Sequence, residues 1–141
     1  MFNALVPELA VRNCRDSLGF YCGILGFTLV YERPEEGFAF IQLGTAQLML
    51  DQIGAGRTFD NIGAEPQHLG QGLNLQIMVA GLDPLLAALT RAGIPLFLAP
   101  EVRAYRRGES HLLQRQFVVA DPDGYLLRFC ESPRVVPATP D

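Results

Sequence analysis

The chain has 141 residues, a net charge of −4 and 49% hydrophobic residues, which suits one domain with a sizeable core. The negative charge argues against nonspecific nucleic-acid binding, and no apolar stretch reaches the roughly 20 residues of a membrane span. Cys14, Cys22 and Cys130 are odd in number and form no CxxC pair, so we expect reduced thiols that are buried or half-buried. Since the start does not resemble a signal peptide, we expect a cytoplasmic protein without nucleic-acid or membrane partners.

The first half of the chain predicts a strand, a helix and three further strands. Asn13 is a suitable N-cap for the helix, and Gly26 suits its C-terminal end. Pro7 cannot donate a hydrogen bond within a sheet, so the first strand is an edge strand, a bulge or a hinge. The predicted ranges are a strand at Ala4–Val11, a helix at Cys14–Leu25, and strands at Phe27–Glu32, Gly37–Leu43 and Ala46–Asp51.

The second half repeats this order after a linker at 52–72, which is rich in Gly, Asp, Asn and Gln. Pro84 suits the first turn of a helix, and Gly93 ends that helix. The predicted ranges are a strand at Leu73–Val79, a helix at Asp83–Ala92, a strand at Pro95–Ala99, a polar loop at Val102–Ser110, a hairpin at Gln116–Glu131 and a frayed tail at Pro133–Asp141. Within the loop, Arg103, Arg106 and Arg107 could gate a cavity, bind an anion or simply be solvated.

The last hairpin carries the strongest turn signal. Its Asp-Pro-Asp-Gly sequence at 121–124 suits a type I turn. After the turn, one face carries Tyr125, Leu127 and Phe129, and the other carries Leu126, Arg128 and Cys130. Both faces are largely apolar, so we expect one to pack on helices and the other to line a cavity that contains Arg128.

The two halves are related as a duplicated half-domain. Leu9-Ala10-Val11, a helix and Leu25-Gly26-Phe27 correspond to Ile77-Met78-Val79, a helix and Ala92-Gly93-Ile94, at an offset of about 68 residues. This period is far longer than that of a solenoid. It predicts a single domain over 1–141 with half-domains at about 4–51 and 73–131. Each half presents a sheet with one face on a helix and one open face, so two halves can enclose a cleft.

Period-two counting separates the two faces of the predicted sheets. The positions assigned to the open faces are Val6, Glu8, Phe38, Phe40, Gln42, Gln47, Met49, Asp51, Asn74, Gln76, Met78, Arg115, Phe117 and Arg128. Apolar walls with sparse polar groups are typical of a small-molecule cavity. A dimer interface is the alternative, and the two are compatible if the cavity lies between subunits.

The candidate ligand-binding residues come from these open faces. They are Glu8, Phe38, Phe40, Met49, Asp51, Asn74, Gln76, Arg115, Phe117 and Arg128. Phe38 and Phe40 either stack on a planar ligand or pack in the ordinary way. Glu8 and Asp51 either hold a cationic ligand or pair with an arginine, Arg128 or Arg115.

Several motifs resemble the vicinal-oxygen-chelate superfamily of glyoxalases, ring-cleaving dioxygenases and bleomycin-resistance proteins. One is the order of strands and helix that is repeated in the two halves. The others are Phe20-Tyr21 followed by Leu25-Gly26-Phe27, and the turn Asp121–Tyr125. Val6–Leu9, Ala46–Leu50 and Leu126-Leu127-Arg128 are most similar to the bleomycin-resistance branch. The resemblance covers about residues 4–131. It implies an α+β fold in which two βαβββ half-domains form an open, cleft-enclosing mixed sheet.

The resemblance also carries implications for assembly and for metal binding. In the bleomycin-resistance branch, a proline in the first strand accompanies an arm exchanged between two subunits, which implies a homodimer with Pro7 at the hinge. The superfamily's enzymes hold a divalent metal with His, Gln or Glu on four strands, and the matching positions here are Val6, Met49, Asn74 and Arg128. Val6 cannot ligate, Met49 is a soft ligand, and Arg128 would repel a cation. His68 and His111 lie off these positions. We therefore expect no metal, no cofactor and no catalytic residues.

The sequence thus predicts a metal-free homodimer that binds and sequesters a planar small molecule, such as an antibiotic or other xenobiotic. The ligand would be cationic if Glu8 and Asp51 bind it. Whether the protein is an enzyme stays open, with a binding protein favoured. The first alternative is a metal-dependent lyase or dioxygenase of the same superfamily. The second is a small-molecule sensor or interaction module, supported only by the arginine-rich segment.

Overall fold

The computed structural model describes residues 1–56 and 69–137, which form two compact units. The first unit comprises 1–56, 69–73 and 121–125, and the second comprises 74–120 and 126–137. The first unit contains a strand, a helix and three further strands in that order, and the second unit repeats this order and adds a fourth strand after the helix. This arrangement confirms the predicted α+β fold class. Most of the predicted linker, 57–68 with His68, lies outside the described residues.

The first unit contains a four-stranded sheet in the order β1-β4-β3-β2. Its first strand is parallel to β4, and the other neighbours are antiparallel. The elements are β1 (Glu8–Val11), α1 (Cys14–Leu18), a π-helical turn (Gly19–Ile24), β2 (Thr28–Arg33), a 3-10 turn (Pro34–Glu36), β3 (Phe38–Leu43) and β4 (Ala46–Gln52). Because α1 packs against β3 and β4, this sheet has a helix face, with Leu9, Ile41 and Leu50 fully or almost fully buried, and an opposite open face.

The helix of the first unit is capped as predicted. The side chain of Asn13 accepts a hydrogen bond from the backbone N–H of Asp16 at 3.0 Å. Gly26 follows the helix with a φ of +84°, a conformation that glycine adopts without steric penalty. The predicted helix is therefore confirmed, although its second half is a π-helical turn.

The first strand is shorter than predicted. It begins at Glu8, and Pro7 lies just before it. The carbonyl of Pro7 accepts a hydrogen bond from the Met49 N–H at 2.9 Å, so proline serves as an acceptor where it cannot donate.

The second unit contains a sheet in the order β5-β8-β7-β6, with β9 paired to β7. Its elements are β5 (Asn74–Met78), α2 (Asp83–Arg91), β6 (Leu98–Arg107), β7 (Ser110–Ala120), β8 (Leu126–Cys130) and β9 (Arg134–Pro137). Leu85 and Leu89 form the buried stripe of α2. Neither helix in the described ranges has the length and apolar character of a membrane-spanning segment.

Three predictions for the second unit are wrong. The segment Val102–Ser110 is not a loop, because most of it belongs to β6, and its arginines lie on a strand. The strand expected at Pro95–Ala99 begins only at Leu98, and the tail contains β9 at Arg134–Pro137. Strand β6 is the edge of its sheet, and charged side chains are common on edge strands, where they discourage further pairing. A polar, arginine-rich composition therefore did not distinguish a loop from an edge strand.

The turn 121–125 is held by a buried carboxylate. Asp121 accepts hydrogen bonds from the hydroxyl of Tyr21 at 2.7 Å and from the backbone N–H groups of Asp123 and Tyr125, both at 2.9 Å. A salt bridge of 3.1 Å joins Arg12 to Asp123. Burial raises the pKa of the Asp121 carboxyl, although these hydrogen bonds partly oppose the shift. The turn is thus fixed from several directions within the first unit.

The length of this turn decides which residues share a face in the second unit. A four-residue turn over Asp121–Gly124 would place Phe117 opposite Arg128. The loop instead contains one more residue, so Ala120 pairs with Leu126 and Arg128 lies opposite Val118. Since a slip of one residue exchanges the two faces of a strand, the predicted face of Arg115 and Phe117 is wrong.

The cysteines agree with the sequence analysis. All three lie in described parts of the chain and carry free thiols. Cys14 and Cys130 are buried and Cys22 is half-buried, and burial is the largest cause of the raised pKa of each thiol.

Candidate functional site

Four aromatic side chains form a cluster on the open face of the first sheet, and we call Phe2, Tyr31, Phe38 and Phe40 the aromatic cluster. Tyr31 lies opposite Phe40 in the sheet register, and their rings stack with centroids 5.3 Å apart. Phe2 packs edge-on against Phe40 with centroids 5.2 Å apart. Phe38 is tilted against Tyr31 at 5.8 Å. Phe38 and Phe40 are buried, whereas Phe2 and Tyr31 are exposed and present the outer aromatic surface of the cluster.

Charged groups border this cluster. The guanidinium carbon of Arg33 lies 4.0 Å from the centroid of the Phe38 ring, a cation–π contact. Asp51 lies opposite Phe38 in register and is only 6% exposed. Burial raises the pKa of the Asp51 carboxyl, repulsion from Glu36 adds to this shift, and attraction to Arg33 partly offsets it.

The predicted residues of the first unit share one face. The register aligns Glu8 with Met49 and Met49 with Phe40 in one row, and Asp51 with Phe38 in the next. That they share a face is confirmed, whereas their binding of a ligand stays a prediction. Sequence reasoning missed Tyr31 and Arg33, although the period-two rule applied to β2 would have placed both on this face.

A cavity of about 370 Å³ lies within the first unit, between α1, the 3-10 turn and the neighbouring strand ends. Of the predicted residues, only Phe38 lines it. The lining residues are Asn13, Cys14, Arg15, Leu18, Glu32, Pro34, Gly37, Phe38 and Gln52. Cys14 faces acidic neighbours here, because Glu32 and Asp51 add to the effect of burial in raising the pKa of its thiol. A raised pKa keeps a thiol protonated and less reactive.

The open face of the second sheet carries a chain of hydrogen-bonded polar side chains. We call Gln76, Glu101, Tyr105, Gln114, Gln116 and Arg128 the polar network. The side-chain amide of Gln114 donates to the side-chain oxygens of Gln76 at 3.2 Å and Gln116 at 2.9 Å. The amide of Gln116 donates to Glu101 at 3.1 Å and to the Tyr105 hydroxyl at 2.6 Å. Such networks hold their members in one geometry when they are satisfied.

Arg128 lies at the end of this network. Its Nη1 atom is 3.4 Å from the Tyr105 hydroxyl, and Gln76 lies beside it in the register of β5 and β8. Its Nε atom is buried and has no hydrogen-bond partner among residues 1–56 and 69–137. Buried polar atoms are rarely left without a partner, so this atom marks a place where a bound group could interact.

The structure brings together only some of the predicted residues of the second unit. Gln76 and Arg128 are adjacent, and Asn74 lies on the same face of β5; both Asn74 and Gln76 are exposed. Arg115 bonds to Asp83 at 2.9 Å and to Glu131 at 3.1 Å, away from this network.

Phe117 is fully buried against Phe129, with ring centroids 5.6 Å apart. Sequence reasoning missed Tyr105 because its strand was predicted as a loop. It also missed Gln114 and Gln116, whose spacing of two was a usable signal.

The four positions that the resemblance assigns to metal ligands do not fit a metal. Val6 offers no donor atom, Met49 offers a soft thioether, and Arg128 places a cation where a metal would lie. Asn74 alone is a weak ligand. Within the described ranges, no group of three or more His, Cys, Asp or Glu side chains is arranged to hold a metal ion.

Comparison with known proteins agrees with this architecture. The profile of the glyoxalase/bleomycin resistance protein/dioxygenase superfamily matches residues 3–129. The chain belongs to this superfamily. A bleomycin resistance protein from Geobacillus stearothermophilus is 33% identical over 131 residues, covering 88% of this chain and 92% of that protein. A bleomycin resistance protein from Staphylococcus aureus matches with the same identity and coverage.

Solved structures of other proteins share the fold. TioX from Micromonospora sp. ML1 superposes with a TM-score of 0.68 at 21% identity, covering 92% of this chain and 98% of that chain. A glyoxalase/bleomycin resistance protein/dioxygenase from Alicyclobacillus acidocaldarius gives a TM-score of 0.63 at 18% identity, covering 92% of this chain and 91% of that chain. At these identities the likeness concerns the fold alone.

Proposed function

We propose that this protein binds and sequesters a planar small molecule in the manner of a bleomycin-resistance protein, without making or breaking a bond. The observation that carries the proposal is the 33% identity to proteins named bleomycin resistance protein, over nearly the full length of both chains. A cytoplasmic location and a homodimeric assembly are parts of the same proposal. The ligand is an antibiotic or another xenobiotic.

The open faces support a binding role. The exposed rings of Phe2 and Tyr31 supply flat apolar surface, and the Asp51 carboxyl lies opposite Phe38 in the sheet register. The polar network supplies a small number of oriented hydrogen-bonding groups. Apolar walls with a few well-placed polar groups are what small-molecule sites share. The positions that would hold a catalytic metal carry side chains suited to contact a ligand instead.

The test is a thermal-shift screen of the purified protein against bleomycin and a library of planar antibiotics, with and without a chelator. A ligand at about 100 times its dissociation constant adds roughly 2.7 kcal/mol to the free energy of unfolding. At this chain length we expect the melting temperature to rise by several degrees, at very roughly 2 to 8 °C per kcal/mol. The rise should persist in the chelator.

A matched pair of variants tests the aromatic cluster. Phe38→Leu removes ring stacking while keeping an apolar side chain, and should reduce the shift for planar hits. Phe97→Leu, at a position that is 68% exposed in the second unit, should leave the shift unchanged. Hits that require a divalent metal would favour the lyase or dioxygenase alternative. Full affinity of the Phe38 variant for every hit would contradict the assigned site.

A further inference from the structure

Arg128 differs from the arginines that form salt bridges in this chain. Arg12, Arg33 and Arg115 each lie within 4 Å of a carboxylate. No carboxylate in the described ranges lies that close to Arg128, although its side chain is half-buried. A partly buried positive charge without a counterion is unfavourable, and it becomes favourable when an anion binds beside it.

The guanidinium of Arg128 has a defined orientation. Nη1 approaches the Tyr105 hydroxyl, and that hydroxyl also accepts a hydrogen bond from Gln116. The opposite edge, formed by Nε and Nη2, makes no hydrogen bond within the described ranges, and Nε is shielded from water. Two parallel N–H groups on one edge of a guanidinium match the two oxygens of a carboxylate.

The neighbouring side chains favour an anion over a cation. In the sheet register, Arg128 lies between Gln76 and Val118, both uncharged. Glu101 is the carboxylate of the polar network, and it accepts a hydrogen bond from Gln116. Tyr105 accepts two hydrogen bonds, so its own proton can be donated to a further acceptor. The Nε and Nη2 edge of Arg128, which faces away from the Tyr105 hydroxyl, thus presents donors to a bound group.

We propose that Arg128 forms a subsite for a planar carboxylate carried by the small-molecule ligand, while Tyr105 holds the guanidinium in place from the other side. This inference rests on the proposed function, since it assigns a chemical group to the ligand of that same protein.

The experiment uses naphthoate and its neutral amide, naphthamide, as probes of the full-length protein. Their dissociation constants are measured by calorimetry or by nuclear magnetic resonance titration. Naphthoate should bind at least about tenfold more tightly, because hydrogen bonds to charged groups are stronger than neutral ones. Naphthoate, but not naphthamide, should shift the Nε–Hε resonance of Arg128 downfield. This resonance is identified by its loss in Arg128→Lys.

Two variants separate a specific contact from a general effect of charge. Arg128→Met should abolish the preference for naphthoate. Arg106→Met removes the same charge from β6, on the face opposite to Tyr105, and should leave the preference intact. The resonance measurement uses the wild-type protein, so the test holds even if the Arg128→Met variant folds poorly.

Three results would overturn the inference. They are failure of naphthoate to bind, equal affinity for the two probes, and an Arg128 resonance that does not move. The library screen judges the proposed function separately. Hits in the screen together with any of these three results would support the proposed binding function and contradict only the carboxylate subsite.

Discussion

Asp51 and Arg128 are charged side chains on the open faces of the two sheets, and their surroundings differ. Asp51 is 6% exposed and lies opposite Phe38. Burial and the nearby charge of Glu36 raise the pKa of its carboxyl. In the folded protein the charged form of Asp51 is therefore disfavoured, and a cation placed beside it would reverse that effect.

The raised pKa predicts a specific pH dependence of stability. The ordinary pKa of an aspartate is 3.8, and folding raises that of Asp51. The folded state then holds the proton more tightly than the unfolded chain. The contribution of Asp51 to the free energy of unfolding therefore falls as the pH rises from 3.8 through the folded pKa. Asp51→Asn should increase the free energy of unfolding at pH 7, and this gain should vanish at pH values below 3.8. Urea denaturation at a series of pH values measures both.

Glu35→Gln is the control for Asp51→Asn. It removes the same charge from an exposed position in the 3-10 turn, and should change stability little at any of these pH values. A lower stability of Asp51→Asn at pH 7 would show that the carboxylate is stabilising and that the direction argued here is wrong. If Asp51 binds cationic ligands, the same variant should lower the affinity for those ligands and leave the affinity for neutral ligands unchanged.

The turn 121–125 determines the register of the second sheet and is packed closely within the first unit. A Cβ atom added to Gly70 would lie 2.8 Å from the Gly124 carbonyl oxygen and from the Tyr125 Cα. Backbone atoms cannot move away as a flexible side chain can. Glycine at this position therefore allows the segment after the linker to lie directly against the turn.

Gly70→Ala should destabilise the protein more than Gly72→Ala does. The two glycines have φ angles of +79° and +80°, so both substitutions carry the same backbone strain of about 1–2 kcal/mol. Only Gly70 adds a steric clash, since nothing lies within 4 Å of a Cβ at Gly72. We expect the difference to be about 1–3 kcal/mol, measured by chemical denaturation. Equal losses would contradict the close packing described for the turn.

The whole molecule contains two units that share a strand, a helix and three further strands, to which the second unit adds β9, and each has one open sheet face. Phe38 and Phe40 are already buried in the first unit, whereas Leu29, Val30 and Tyr31 are exposed apolar side chains that a ligand or another protein surface can cover. Strand β2 is exposed along its whole length, including Leu29 and Tyr31. This exposure is compatible with the homodimer that the sequence resemblance implies.

The homodimer is testable in solution. Multi-angle light scattering at micromolar concentration should give twice the chain mass of 15.5 kDa. Pro7→Ala should alter the stability of the dimer if Pro7 is the hinge of an exchanged arm, because proline restricts the backbone where the arm leaves the subunit. A monomer at these concentrations would contradict the prediction.

The sequence by itself determined the elements whose signals are local. Asn13, Gly26 and Gly93 mark the ends of the helices because capping and left-handed glycine conformations depend on a few neighbouring residues. Alternation placed Phe38, Phe40, Met49 and Asp51 on one face because side chains alternate in any strand. The duplicated order of elements was sufficient to predict the fold class.

The tertiary structure decided what depends on pairing between distant segments. Arg115 and Phe117 lie on the face opposite to the predicted one, because one extra residue in the turn 121–125 shifts the register. A local sequence pattern does not reveal that shift. Tyr105 lies beside Gln116 and Arg128 because the arginine-rich segment forms an edge strand that is hydrogen-bonded to β7. The polar network, and with it the exposed edge of Arg128, therefore arises from strand register, which sequence composition does not encode.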